Sequence, residues 1–202
     1  MVTYTTQGVG YDSDVKAPGL TASQTEGSVE NHTGFDPLSA AAAAAIVASA
    51  QQLLLAAGRG QTNAALKGKQ LALMCALETA GDAAKADSES ADAAFFRQAA
   101  TRLGAHVARI RPRLTASSSA SELRRLAFML GRLYDAVECQ GMSADLTQKI
   151  RSQAGVPVYF RLASKSHPTA ALAGQLKGSA APRDKRLFVL QAALLRSLEL
   201  GT

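Results

Sequence analysis

Residues 96–110 read FRQAATRLGAHVARI, and the parsing of this stretch decides the fold. Phe96, Ala100, Leu103, Val107 and Ile110 step by 4, 3, 4 and 3, the spacing that gathers apolar side chains on one helical face. The pattern returns downstream, where Leu123, Leu126, Leu130, Leu133 and Val137 step by 3, 4, 3 and 4. A polar linker, TASSSAS at 115–121, lies between the two. Two such seams across a short connection predict an antiparallel helical pair. Each seam lasts only about two heptads, so a globular bundle is expected rather than a long coiled coil.

Helix punctuation extends this reading in both directions. Asp36 and Pro37 suit the start of a first helix that ends at Gly58, and a second runs from about Thr62 to Ala80, before Gly81. The third begins near Ser88 or Ser90 and is broken by Pro112. Ser119 and Glu122 have capping-box spacing for a fourth, which runs to Gln140. Ser143 opens a fifth that ends at Gly155, Pro168 a brief sixth, and Pro182 a last one reaching about Leu200. VPVYF at 156–160 reads equally as an extended piece or a helical turn. The predicted fold is all-α, a bundle of six to seven helices over residues 37–202, preceded by a polar arm at 1–36.

The arm differs from the body in charge and in pattern. Residues 1–36 carry five acids against Lys16 alone, whereas the remainder carries 21 bases against 11 acids. The arm holds nine Ser or Thr and has no apolar period, so a disordered or extended segment is expected there. No basic start followed by an apolar run marks a Sec-type signal. Residues 38–57 lack charge over 20 positions, about the span of a bilayer. Half of them are Ala, and Ser39, Ser49, Gln51 and Gln52 interrupt them, so a buried central helix is favoured over membrane insertion. Cys75 and Cys139 are expected to be reduced thiols, with a single disulfide as the alternative.

No catalytic pattern emerges from spacing. His32, His106 and His167 have no ligand partner at metal spacing, so neither metal nor cofactor is expected. GRGQTNAALKGKQ at 58–70 lacks the order of a phosphate loop. The acids Glu78, Asp82, Asp87, Glu89 and Asp92 suit a solvated turn before a helix better than acid–base work. An enzyme would require His106 or His167 to meet a carboxylate that spacing does not place beside it.

Two surfaces invite partners instead. Arg102, His106, Arg109 and Arg113 form a basic stripe on the predicted third helix, with Arg124 and Arg125 close in sequence. This face suits an acidic partner or phosphates, including nucleic acid or acidic lipid. The absence of interleaved aromatics and of helix–turn–helix spacing argues against nucleic acid. On the last helix, Leu187, Leu190, Leu194 and Leu198 form one apolar stripe, and Phe188 and Leu195 another. Phe128 lies opposite the Leu130 face of the fourth helix. More apolar surface than one seam can use predicts a protein partner or a homo-oligomer. The expectation is a non-enzymatic interaction or assembly protein. Its organisation is similar to that of bacterial type III secretion substrates and components, or of phage structural proteins. A cytoplasmic location is expected, with export lacking a Sec signal as the variant.

Overall fold

A computed structural model of the chain describes residues 38–75, 90–114 and 118–199. Helices and strands alternate: α1 (Ala40–Gly58), β1 (Gln70–Cys75), α2 (Ala91–Arg102), β2 (His106–Ile110), α3 (Ala120–Leu133), β3 (Ala136–Gln140), α4 (Ala144–Ala154) and β4 (Val158–Phe160). A 3₁₀ helix at Pro168–Gln175 and α5 (Pro182–Glu199) complete the order. The four strands are all parallel, in the order β2-β1-β3-β4. The fold is therefore α/β, and the all-α bundle is overturned.

Gly104 shows where the helical reading failed. Its φ is +87°, a left-handed conformation, and an added Cβ would lie 3.3 Å from the Lys67 backbone. The helix stops at Arg102 with Leu103 as its cap, and Val107 and Ile110 belong to a strand. Their fit to the 4-3 steps is a coincidence across a chain reversal. The second seam breaks likewise: α3 ends at Leu133, Tyr134 is extended, and Val137 lies in β3. Of the predicted helix 62–80, Gln70–Cys75 is a strand, and VPVYF contributes β4.

The interior strands explain the error. Parallel strands covered on both faces lose the period-two alternation and read as apolar runs. Leu71 through Met74 are all buried, as is every residue of β3. Leu71, Leu73, Ala136 and Tyr159 face a layer of α1, α2, α5 and the 3₁₀ helix. Ala72, Met74, Val137, Cys139 and Val158 face α3 and α4. Gly131 lets α3 approach α4, since a Cβ there would sit 1.9 Å from the Ala154 carbonyl oxygen.

Several local signals are as expected. Ser90, Ser119 and Ser143 cap their helices, and Ser119 with Glu122 forms the reciprocal capping box. α4 ends at Gly155 with φ +68°. The first helix is capped by Ser39 rather than Asp36. Asp36 and the whole arm, with His32, fall outside the described residues, as do Glu78, Asp82, Asp87 and Glu89.

The apolar stripes fare differently from the expectation. Leu187, Leu190, Leu194, Leu195 and Leu198 are buried and Phe188 is half-buried, because α5 packs both stripes against the sheet layer and α1. One folded copy thus hides most of the surface assigned to a partner. Phe128 is exposed, with the Arg132 guanidinium 5.7 Å from its ring centre. α1 is not central: only Ile46, Ala50 and Leu53 are buried. By length and composition it is apolar enough to cross a membrane. Both cysteines are free thiols. Cys139 pairs with Met74 and Cys75 with Gln140, so the two thiols point to opposite faces of adjacent strands, which excludes a bond between them.

Candidate ligand site at the strand ends

The topology defines a crevice before any side chain is considered. From β1 the chain passes to β2 on one side, then returns to β3 on the other. The carboxyl ends of β1 and β3, where Cys75 lies opposite Gln140, are therefore a switch point of a doubly wound sheet. A cavity of about 810 Å³ is built from the segments that follow the strands. The start of α2 supplies Asp92 and Phe95, the segment after β4 supplies Lys165, Ser166, His167 and Pro168, and the first turns of α5 supply Arg183 and Arg186.

His167 is held by the 3₁₀ helix that it caps. Its Nδ1 accepts the Thr169 backbone N–H at 3.3 Å and lies 2.8 Å from Thr169 Oγ1. Burial disfavours the imidazolium and lowers the pKa to about 4, so the ring is neutral at pH 7. With Nδ1 acting as an acceptor, the proton resides on Nε2. That Nε2 is buried and has no hydrogen-bond partner among the described residues. His167 thus lines the cavity and holds a buried, unsatisfied neutral donor.

Glu138 is fully buried on β3 and feels the charge of Asp92. Gln140 Nε2 donates to its Oε1 at 2.5 Å, while Oε2 has no partner among the described residues. Burial raises its pKa to about 8 against the favourable pull of Gln140 and of the Ala163 and Leu162 amides, and the Asp92 charge raises it further. The carboxyl is thus largely protonated at neutral pH.

The cationic side of the cavity is braced. Arg186 donates to the Ala163 carbonyl at 2.9 Å, and its guanidinium lies 4.8 Å from the Phe95 ring centre. These contacts tie α5 to α2 and to the segment after β4. Arg183 donates to Gln98 Oε1 at 3.4 Å, and Lys165 is exposed. Among the described lining residues, three bases stand against Asp92.

The predicted basic stripe does not form. Arg102 ends α2, whereas His106 and Arg109 are on the edge strand β2 and Arg113 follows it. Arg124 and Arg125 are exposed on α3, on the opposite sheet face from α2. None of the six lines this cavity. Of the described histidines His167 lines it and His106 does not, and Asp92 lines the same cavity as His167. Glu138, Gln140, Lys165, Arg183 and Arg186 were not singled out from sequence. The available signal was an acid embedded in an apolar strand, AVECQ, followed two residues later by an amide on the same face. Among the described residues no group of three potential ligands suits a metal ion.

This fold and this crevice define a class of doubly wound α/β domain with a basic site at its strand ends. No family model matches the chain. It is 38% identical over 78 residues to the catabolic ornithine carbamoyltransferase of Burkholderia mallei, an overlap of 39% of this chain and 23% of that enzyme. It is 37% identical over 81 residues to the ornithine carbamoyltransferase of Actinobacillus pleuropneumoniae serotype 5b, covering 40% of this chain and 24% of that one. The chain thus spans about a quarter of the length of the curated relatives it matches. The ornithine carbamoyltransferase structure from Pyrococcus furiosus superposes with a TM-score of 0.51 at 21% identity, over 66% of this chain and 39% of that one. Aspartate transcarbamoylase from Trypanosoma cruzi, solved in complex with phosphate, superposes at 0.50 with 17% identity, over 67% of this chain and 40% of that one. The solved structures establish a shared fold. The sequence relatives are enzymes, and this overturns the expectation of a non-enzymatic assembly protein or secreted effector.

Proposed function

We propose that this chain forms a carbamoyl-donor-binding domain of the carbamoyltransferase type, holding an anionic carbamoyl compound such as carbamoyl phosphate in the 810 Å³ cavity. Moving H₂N–C(=O)– from a phosphate to an amine places negative charge on the carbonyl oxygen, then releases a phosphate. A fixed neutral donor beside that oxygen lowers the barrier without reorganising when charge develops. The Nε2–H of His167 has this character, and its unpaired, buried state is the observation that carries the proposal. Lys165, Arg183 and Arg186 supply the charge that attracts and holds the phosphate end. Phe95 and Pro168 supply the apolar wall that limits water. The acceptor amine is assigned to no residue of the cavity, and its binding belongs to a part of the reaction beyond this site.

Calorimetric titration of the chain with carbamoyl phosphate tests the reading. Saturable binding that weakens at least ~10-fold in His167→Ala, a loss of about 1.4 kcal/mol, is expected. Binding that His167→Ala leaves unchanged, or no binding at millimolar donor, overturns it.

A further inference from the structure

We propose that a second cavity, at the opposite end of α2, binds an amphipathic carboxylate: a molecule with an apolar body and a single anionic head. The cavity has a volume of about 500 Å³ and shares no described lining residue with the first. Asp92 and Arg102 mark the two ends of α2, and ten residues of helix separate the sites by roughly 15 Å.

The walls dictate the chemistry of the occupant. Leu53 and Ala57 of α1 and the half-buried Phe188 of α5 form the apolar side, and α1 contributes no charge anywhere along its length. Arg102 is the only charged residue among the described residues of the lining. It has no hydrogen-bond or ion-pair partner among the described residues. Arg102 is exposed, and its guanidinium pairs best with a carboxylate, which matches its fork. Asn63 adds a neutral donor: its Oδ1 accepts the Ala65 N–H at 2.9 Å, which leaves the side-chain NH₂ for a ligand. One guanidinium and one amide suit a monoanion better than a phosphate, which draws more donors. The apolar wall calls for a hydrocarbon or aryl body on the same molecule.

The site is preformed. The Leu66 N–H donates to the Leu103 carbonyl at 2.8 Å, and Gly104 packs closely on Lys67, so the connection carrying Asn63 is fixed to the end of α2. Gln191 Nε2 donates to the Ala99 carbonyl at 3.3 Å and fixes α5 to the same helix. Both walls are therefore in place before a ligand arrives.

Decanoate and decanol are the test ligands, titrated into the full chain by calorimetry. Decanoate is expected to bind with sub-millimolar affinity and decanol at least ~10-fold more weakly. Arg102→Gln should weaken decanoate by the same factor and leave decanol unchanged. Ala57→Trp, at an exposed position, should block both by filling the cavity; Asn63→Ala, with a smaller loss for decanoate alone, covers the case in which the tryptophan variant does not fold. Equal decanoate binding by wild type and Arg102→Gln overturns the site, as does the absence of binding at about 1 mM. Carbamoyl phosphate binding should be the same in Arg102→Gln and wild type, so failure here is distinct from failure at the first cavity.

Discussion

The backbone N–H of Thr169 donates to Nδ1 of His167 at 3.3 Å, and this bond leaves the neutral imidazole a single position for its proton. A helix cap, ordinarily a matter of local stability, here sets the tautomer of a ring on the wall of the 810 Å³ cavity. Burial keeps that ring uncharged, with a pKa of about 4. The consequence is an electrophile rather than a base: the ring can donate to a carbonyl oxygen at physiological pH but has no free lone pair with which to take a proton. Polarisation of a carbonyl is the role that fits such a ring.

Glu138 makes stability depend on pH. Its folded pKa of about 8 lies above the ordinary 4.5, so between those values the unfolded chain releases a proton that the folded chain retains. Stability therefore falls as pH rises through this window. His167 works in the opposite sense but only below 6.5, so the range from 6.5 to 8 isolates Glu138. Urea unfolding should show wild type losing about 2 kcal/mol across that range. Glu138→Gln should show a flat profile and greater stability at pH 8. A flat wild-type profile would remove the buried neutral carboxyl from the account.

Gly131 is the contact on which the packing of α3 against α4 depends. A methyl group there would meet the Ala154 carbonyl oxygen at 1.9 Å, and backbone cannot rotate away as a side chain can. Gly131→Ala should destabilise the fold by about 3 kcal/mol or more, beyond the helix-propensity gain of alanine. Thermal melting by circular dichroism checks this, and an unchanged or higher Tm contradicts it.

Leu194 is fully buried in the layer shared by α1, α2 and α5. Leu194→Ala should therefore cost about 2–5 kcal/mol in folding, as expected of a cavity left in a core. A surface role would leave the unfolding midpoint unchanged, and chemical denaturation separates the two outcomes.

How much of this was legible in the sequence follows from where each signal resides. Caps are local, so Ser90, Ser119, Ser143 and Gly155 announced their helix ends correctly. α5 was placed from Pro182 for the same reason. The sheet was not legible, because β1 and β3 are covered on both faces and show no alternation. The 4-3 stepping then continued through Gly104, whose left-handed conformation was the stop signal. The site was less legible still. Asp92, Glu138, His167 and Arg186 lie on four separate segments, and only the parallel crossovers bring them together. His167 looks isolated in the sequence, because the burial that defines it is a tertiary fact.

The most direct measurement is the nitrogen-15 spectrum of His167 in labelled protein, recorded from pH 8 to 5 with and without carbamoyl phosphate. The account predicts a neutral ring protonated on Nε2 throughout, and an Nε2–H resonance that shifts as the donor saturates. A ring protonated on Nδ1, one that titrates near 6.5, or an Nε2–H resonance indifferent to the donor would contradict it.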